Sequence, residues 1–175
     1  MVWALVASVR LFGSTDRGET WTERALPDGI PRGDASFVSD RDGWMAGYGP
    51  AGATPQCQSQ VVLLAHTADG GATWERVATS GIAEAQCKNG LSFSDLQHGF
   101  LSASDPSGAL TIYRTGDGGR SWTRFDLDRT WSVQTIGAVP GAAWALVGVY
   151  GDPRSPAIYR STDGLRWDRV LEGSP

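Results

Sequence analysis

An all-β propeller of about four four-stranded antiparallel blades is the fold this sequence predicts, and three observations carry that reading. First, nearly the same eight residues recur: Ser14-Thr15-Asp16-Arg17-Gly18-Glu19-Thr20-Trp21, Thr67-Ala68-Asp69-Gly70-Gly71-Ala72-Thr73-Trp74, Thr115-Gly116-Asp117-Gly118-Gly119-Arg120-Ser121-Trp122 and, one residue shorter, Ser161-Thr162-Asp163-Gly164-Leu165-Arg166-Trp167. Second, the four aspartates lie 53, 48 and 46 residues apart, the length of a blade of four short strands. Third, 23 Gly and 8 Trp in 175 residues suit strands joined by tight turns. A chain of this length predicts a single domain, 1–175.

Each repeat supplies its strands in order. Strand A, a polar turn containing Gly and an aromatic strand B are read in Phe37-Val38-Ser39-Asp40-Arg41-Asp42-Gly43-Trp44, and again in Phe93-Ser94-Asp95-Leu96-Gln97-His98-Gly99-Phe100. Strand C follows, as in Thr111-Ile112-Tyr113-Arg114, and the recurring segment turns it into strand D. The blades are expected at about 1–26, 34–79, 89–127 and 131–172. The first lacks a strand A, so the four blades are also compatible with part of a larger ring. The apolar start Met1-Val2-Trp3-Ala4-Leu5-Val6 has no basic stretch ahead of it and aligns with Ala143-Trp144-Ala145-Leu146-Val147, so it reads as a strand rather than a signal peptide.

The turn chemistry is local. An Asp carboxylate accepts hydrogen bonds from backbone N–H groups a few residues on, the following Gly permits a positive φ, and the Ser or Thr before the Trp can bond the turn from its other side. Burying a Trp removes on the order of 200 Å² from water, roughly 5 kcal/mol before entropy. Asp16, Asp69, Asp117 and Asp163 are therefore expected to be structural, and Trp21, Trp74, Trp122 and Trp167 to be core. Trp3, Trp44, Phe100 and Trp144 share the strand-B position, and Trp131 alone among the tryptophans falls outside the repeat.

This segment resembles the Asp-box, or BNR repeat, of sialidase-superfamily propellers, and its pairing with an upstream Gly-aromatic strand is most similar in pattern to photosystem II assembly-factor-like propellers. The resemblance implies extracytoplasmic scaffolds that bind proteins. Sialidases, similar in the box alone, also use an Arg-Ile-Pro segment, three arginines around a carboxylate and a Tyr–Glu pair. Gly29-Ile30-Pro31-Arg32 is not that segment, and no Glu sits beside a loop-face Tyr.

Composition excludes some functions. A net charge of −4 argues against nucleic acid, which needs a basic patch, and no apolar run is long enough to span a membrane. No cofactor is implied. The two cysteines have neither CxxC spacing nor a nearby His, so no metal site is read there.

In such a blade the box and the A–B turn share one face of the disc, and the B–C loops and D–A connections share the other. From strand-B aromatic to box Asp the gap is 13, 25, 17 and 19 residues, whereas from box Asp to the next aromatic it is 28, 31 and 27. The variation sits in the B–C loops, where a rigid scaffold places binding residues. Tyr48, Trp131, Tyr150 and Arg154 are the ligand-binding candidates on that face, suited to stacking on sugar or gripping a peptide. Cys57 in the longest loop and Cys87 in the neighbouring D–A connection are expected to form a disulfide, hence an oxidising, extracytoplasmic compartment. His66 and His98 lie toward the box side and read as structural.

The expected function is a non-catalytic extracytoplasmic binding or assembly propeller for a protein or carbohydrate, with no catalytic residue assigned. The alternative is a sialidase-like or xyloglucanase-like glycoside hydrolase, or a piece of one, for which Asp105 and Asp152 would form the carboxylate pair. A homodimer completing an eight-blade ring is a further expectation.

Overall fold

The computed structural model describes residues 1–49, 60–104, 110–126, 131–149 and 152–172, with backbone alone at 89, 131–134, 149, 152–155 and 172. Among the described residues fifteen strands form four antiparallel sheets, each in chain order. The first contains β1 (Val2–Val6), β2 (Arg10–Ser14) and β3 (Thr22–Arg24). The second contains β4 (Asp34–Phe37), β5 (Gly43–Gly49), β6 (Val61–Thr67) and β7 (Glu75–Val77). The third contains β8 (Cys87–Phe93), β9 (Gly99–Ser104), β10 (Leu110–Thr115) and β11 (Thr123–Asp126). The fourth contains β12 (Trp131–Val139), β13 (Ala142–Val149), β14 (Asp152–Ser161) and β15 (Asp168–Glu172).

Among the described residues the sheets form four propeller blades, the first of three strands. Blades pack in chain order through their inner strands, β1 against β4, β4 and β5 against β8, and β8, β9 and β10 against β12. Among the described residues no strand of the fourth blade touches the first.

Each core cluster lies between two blades rather than within one, because a small twisted sheet must bury its apolar face against another element. Ile30, Met45 and Ala65, with Leu5 and Leu26, fill the first interface. Trp44, Val62 and Leu64 meet Leu91, Phe93, Leu101 and Tyr113 in the second. Phe100, Leu110 and Ile112 meet Ile136, Ala145 and Trp167 in the third.

The strand-B aromatics set the interlock. Trp3 stacks on Phe37 with ring centroids 3.8 Å apart, and Trp44 on Phe93 at 3.9 Å, each ring reaching into the next blade's strand A. Phe37 and Phe93 in turn lie over Gly43 and Gly99 of their own strand B, where a Cβ would fall 2.3 and 2.6 Å from the ring.

Not every box Trp is core. Trp122 and Trp167 are buried, Trp74 is half-buried, and Trp21 is 44% exposed. Trp74 and Trp122 meet the strand-A rings of their own blades edge-on, Phe37 at 6.2 Å and Phe93 at 6.1 Å, and Trp167 meets Phe100 of the preceding blade at 5.8 Å. Among the described residues the first blade has no strand A to cover Trp21, whose Nε1 donates to the Gly18 carbonyl.

Strand limits move three other expectations. Cys87 opens strand A of the third blade instead of lying in a connection, and Trp131 likewise opens strand A of the fourth, inside the repeat. Asp152 and Arg154 belong to β14 rather than to a loop, because β13 and β14 continue to within two residues of each other.

Candidate functional site

The box face is built as the residues dictate. In the second blade Asp69 Oδ1 accepts the Ala72 and Thr73 N–H groups at 3.0 and 2.8 Å, and Thr73 Oγ1 donates to Oδ2 at 2.6 Å. Thr67 Oγ1 donates to the same carboxylate and accepts from Gly71 N–H at 2.9 Å. The third blade repeats this through Thr115, Asp117, Arg120 and Ser121. Hydroxyl and amide donors hold the Asp69 and Asp117 carboxyls down to about 2, with Thr73 and Ser121 contributing most, and they push Asp16 lower still. The fourth box has Arg166 before its Trp, so Asp163 lacks the hydroxyl donor there and is lowered by the Arg166 and Leu165 amides.

The A–B turns fasten onto the boxes. Gly70 N–H donates to Arg41 O at 2.8 Å and Gly118 N–H to Gln97 O at 2.9 Å, so turn and box share one face, as the blade map requires. Clefts open on this face, two of them between successive blades. One, of about 400 Å³, lies between the second and third blades beside Asp42, His66, Glu75, Arg76 and Arg120. The other, of about 250 Å³, lies between the third and fourth blades beside Asp95, His98, Arg114 and Asp163. Sequence reasoning missed both. The available signal was register: His66, Arg114 and Arg160 sit opposite Trp44, Phe100 and Trp144, so blades two to four each set a basic or imidazole residue across from the aromatic, where the first blade has Gly13 across from Trp3. Among the described residues no three His, Cys, Asp or Glu gather as a metal cluster.

Three of the sequence-chosen candidates, Tyr48, Trp131 and Arg154, stand near strand ends toward the opposite face. Tyr48, at the end of β5, is half-buried and donates to Asp34 Oδ2 at 2.7 Å. Burial and the Asp34 charge raise its phenol well above the ordinary value. Its hydroxyl is therefore committed inside the protein. Trp131 pairs with Val149, and Val149 with Asp152, so the backbone brings Trp131 and Arg154 to one end of the fourth blade. Tyr150, Cys57 and Asp105 lie outside the described residues.

Lys88 organises the neighbouring connection. It is the chain's only lysine and is 6% exposed. Its ammonium donates to four carbonyls, Gln60 at 2.6 Å, Ala83 at 2.7 Å, Gln86 at 2.9 Å and Glu84 at 3.1 Å. A bulge between Lys88 and Gly90 interrupts the β8–β9 register beside it. Burial lowers the ammonium to about 8, with Glu84 pulling it back up. Gln60 also donates from its backbone to Glu84 O and accepts from Lys88 N–H through its side chain. Beneath, Gln86 donates to Thr111 Oγ1 and accepts from the Tyr113 hydroxyl. The buried polar ends of Lys88, Gln86 and Tyr113 are thus paired, as a low-dielectric interior demands.

No protein-family model matches the chain, and no curated protein matches it. Among solved structures, YCF48 bound to D1 peptide is similar at 27% identity with a TM-score of 0.54, over 78% of this chain and 39% of that one. The Niastella koreensis GH74 enzyme matches at 15% identity and a TM-score of 0.61, over 91% of this chain and 25% of its own. The Trypanosoma rangeli sialidase matches at 12% and 0.54, over 92% and 32%. The last two likenesses carry the fold alone, and this chain spans well under half of each of the three. Among the described residues no helix is long and apolar enough to cross a membrane. The chain is a β-propeller that structurally matches the photosystem II assembly factor YCF48 and the propellers of sialidase and GH74 type.

Proposed function

We propose that this chain is a non-catalytic, extracytoplasmic binding propeller that recognises a polypeptide through its B–C and D–A loop face. One observation carries the reading: the solved structure most alike in sequence among the three, at 27% identity, is bound to a peptide. The Lys88 and Gln60 bonds support it by holding the ends of a loop and a connection together on that face. Trp131 and Arg154, which the backbone brings to one end of the fourth blade, form the proposed contact cluster.

The compartment follows from a proposed Cys57–Cys87 disulfide. Gln60, three residues after Cys57, bonds to Glu84 and Lys88 on either side of Cys87, and Cys87 is not a free thiol. Intact mass before and after alkylation tests the bridge, and two alkylated thiols without reduction would refute it.

The function is tested by binding of D1-type peptides in a calorimeter. Trp131→Ala and Arg154→Ala each weaken binding about tenfold or more, the loss of a well-buried contact, whereas His98→Ala on the box face leaves it unchanged. A second reading, glycoside hydrolysis, is favoured by the GH74 and sialidase likenesses. Turnover of a fluorogenic glycoside that disappears in Asp152→Asn would establish it in place of the first.

A further inference from the structure

We propose that the cleft between the third and fourth blades is a second binding site, which takes a carboxylate group on the Arg114 guanidinium. Both walls of the cleft belong to this chain, and it opens on the box face. It does not rest on the reading given for the loop face.

The second blade shows the same place already filled. Across β5 and β6, Trp44 pairs with His66 and Gly43 with Thr67. Across β9 and β10, Phe100 pairs with Arg114 and Gly99 with Thr115. His66 and Arg114 therefore hold one position of the repeat, and so do Asp42 and His98, which precede the two glycines. In the second blade an acid meets the base, with Asp42 Oδ1 3.8 Å from His66 Nε2. In the third blade His98 stands where that acid would be. Arg114 has no ion pair or hydrogen bond among the described residues.

The guanidinium is nonetheless held in place. Arg114 is half-buried, and its stem runs over the next blade's box. A Cβ on Gly164 would fall 2.4 Å from Arg114 Cδ and 2.6 Å from its Nε, beside Phe100 at 3.0 Å. A stem fixed between a ring and a neighbouring glycine has lost its rotamer freedom on folding, so a ligand does not have to order it again. The planar fork of an arginine matches the two oxygens of a carboxylate.

The acids in the walls are committed elsewhere. Asp95 accepts the Gln97 and His98 amides, both at 2.8 Å, and faces His98 Nδ1 at 3.0 Å. Asp163 accepts the Leu165 and Arg166 amides at 2.8 Å and the Ser161 hydroxyl at 3.2 Å. Each of these charges is met by donors of its own turn. Phe100, Val139 and Ala142 supply apolar wall for the carbon end of a ligand. The volume of about 250 Å³ lies below the roughly 300–1,000 Å³ of pockets for drug-sized ligands. It suits a single small group, either the side chain of an acidic residue in a peptide or a free short-chain carboxylate.

The test titrates acetyl-aspartyl amide, propionate and the uncharged acetyl-asparaginyl amide into the whole protein at constant ionic strength. The Nε–H resonance of Arg114, assigned with Arg114→Lys, is followed by NMR. The expected result is a saturable shift with the two carboxylates at millimolar concentration, and binding about tenfold or more weaker for the asparaginyl compound. Tighter binding of acetyl-aspartyl amide than of propionate identifies a peptide as the source of the carboxylate, and equal binding a free acid. Arg114→Gln loses the binding. His98→Asp, which writes the second blade's acid into the third, fills the place from within and weakens binding by about tenfold or more. Thermal melts check that both variants are folded, and His98→Asp changes only an exposed side chain. No shift with either carboxylate, equal binding of the asparaginyl compound, or binding that survives Arg114→Gln or His98→Asp would overturn the proposal. So would an equal shift with sodium chloride alone, which points to an adventitious ion only.

Discussion

Trp44 lies flat on Phe93, 3.9 Å between ring centroids and 5° from parallel, although the two belong to different blades. Its indole N–H also reaches the Gly118 carbonyl of that next blade's box at 3.2 Å. One side chain therefore joins two sheets by dispersion and by a directed bond. Trp44→Ala is expected to destabilise the protein by about 3–5 kcal/mol, the range for deleting a large buried aromatic, in urea unfolding. A loss under about 1 kcal/mol would mean that the interface does not depend on the stack.

Two strand glycines, Gly99 of β9 and Gly137 of β12, differ sharply in what they tolerate. Gly99→Ala places a methyl 2.6 Å from the Phe93 ring and is expected to cost about 1–3 kcal/mol of overpacking. Gly137→Ala meets nothing within 4 Å and is expected to be neutral or stabilising by up to about 1 kcal/mol, through a stiffer unfolded chain. Thermal melts of the two variants, compared side by side, check the contrast.

The boxes predict an acid limit. Each carboxyl is lower in the folded than in the unfolded chain, where Asp titrates near ~3.9. The folded state therefore gains from its ionised carboxylates above that value, and the gain disappears as pH falls toward about 2 for Asp69 and Asp117. Asp163, which accepts from the Ser161 hydroxyl but has no hydroxyl donor before its Trp, is expected to titrate at the highest pH of the four. Carbon-detected NMR of the Asp side chains between pH 1 and 5 measures the order, and Asp163 titrating below Asp69 would contradict it.

Lys88→Met removes the common donor of four carbonyls while keeping much of the apolar stem. It is expected to cost about 2–4 kcal/mol, as when a buried charge-assisted group loses its partner. Amide exchange of Gln60, Gln86 and Lys88 itself should quicken before that of β9 or β10. Uniform protection across these sites would show that the ammonium is not the fastener.

Much of this fold can be read from the chain because each blade repeats its own local chemistry. The Asp, Gly and Ser or Thr of a box close a turn with partners no more than four residues away, so the sequence contains the whole cause. Burial of the box tryptophans does not follow in the same way. Trp122 and Trp21 sit in near-identical octets, yet one is buried and the other exposed, because cover comes from a neighbouring strand that blade one lacks. Lys88 stands out in composition, but its four acceptors come from residues 60 and 83–86, converging through a bulge that no local pattern announces. The clefts were hidden for a similar reason, since their walls come from two successive blades.

Near the centre, the inner strands of neighbouring blades run side by side without sharing a main-chain ladder. Ser36 Oγ accepts the Phe93 N–H at 2.8 Å, and Ser92 Oγ accepts the Ala138 N–H at 2.9 Å. A hydroxyl takes one bond where a backbone would take a row of them. Had β4 and β8 zipped together edge to edge, the sheets would have fused into a continuous barrel wall, and the wedge between them that admits Trp44 would have closed. Two serines thus keep the architecture modular, and a blade can be gained or lost without resetting the strand register of the others.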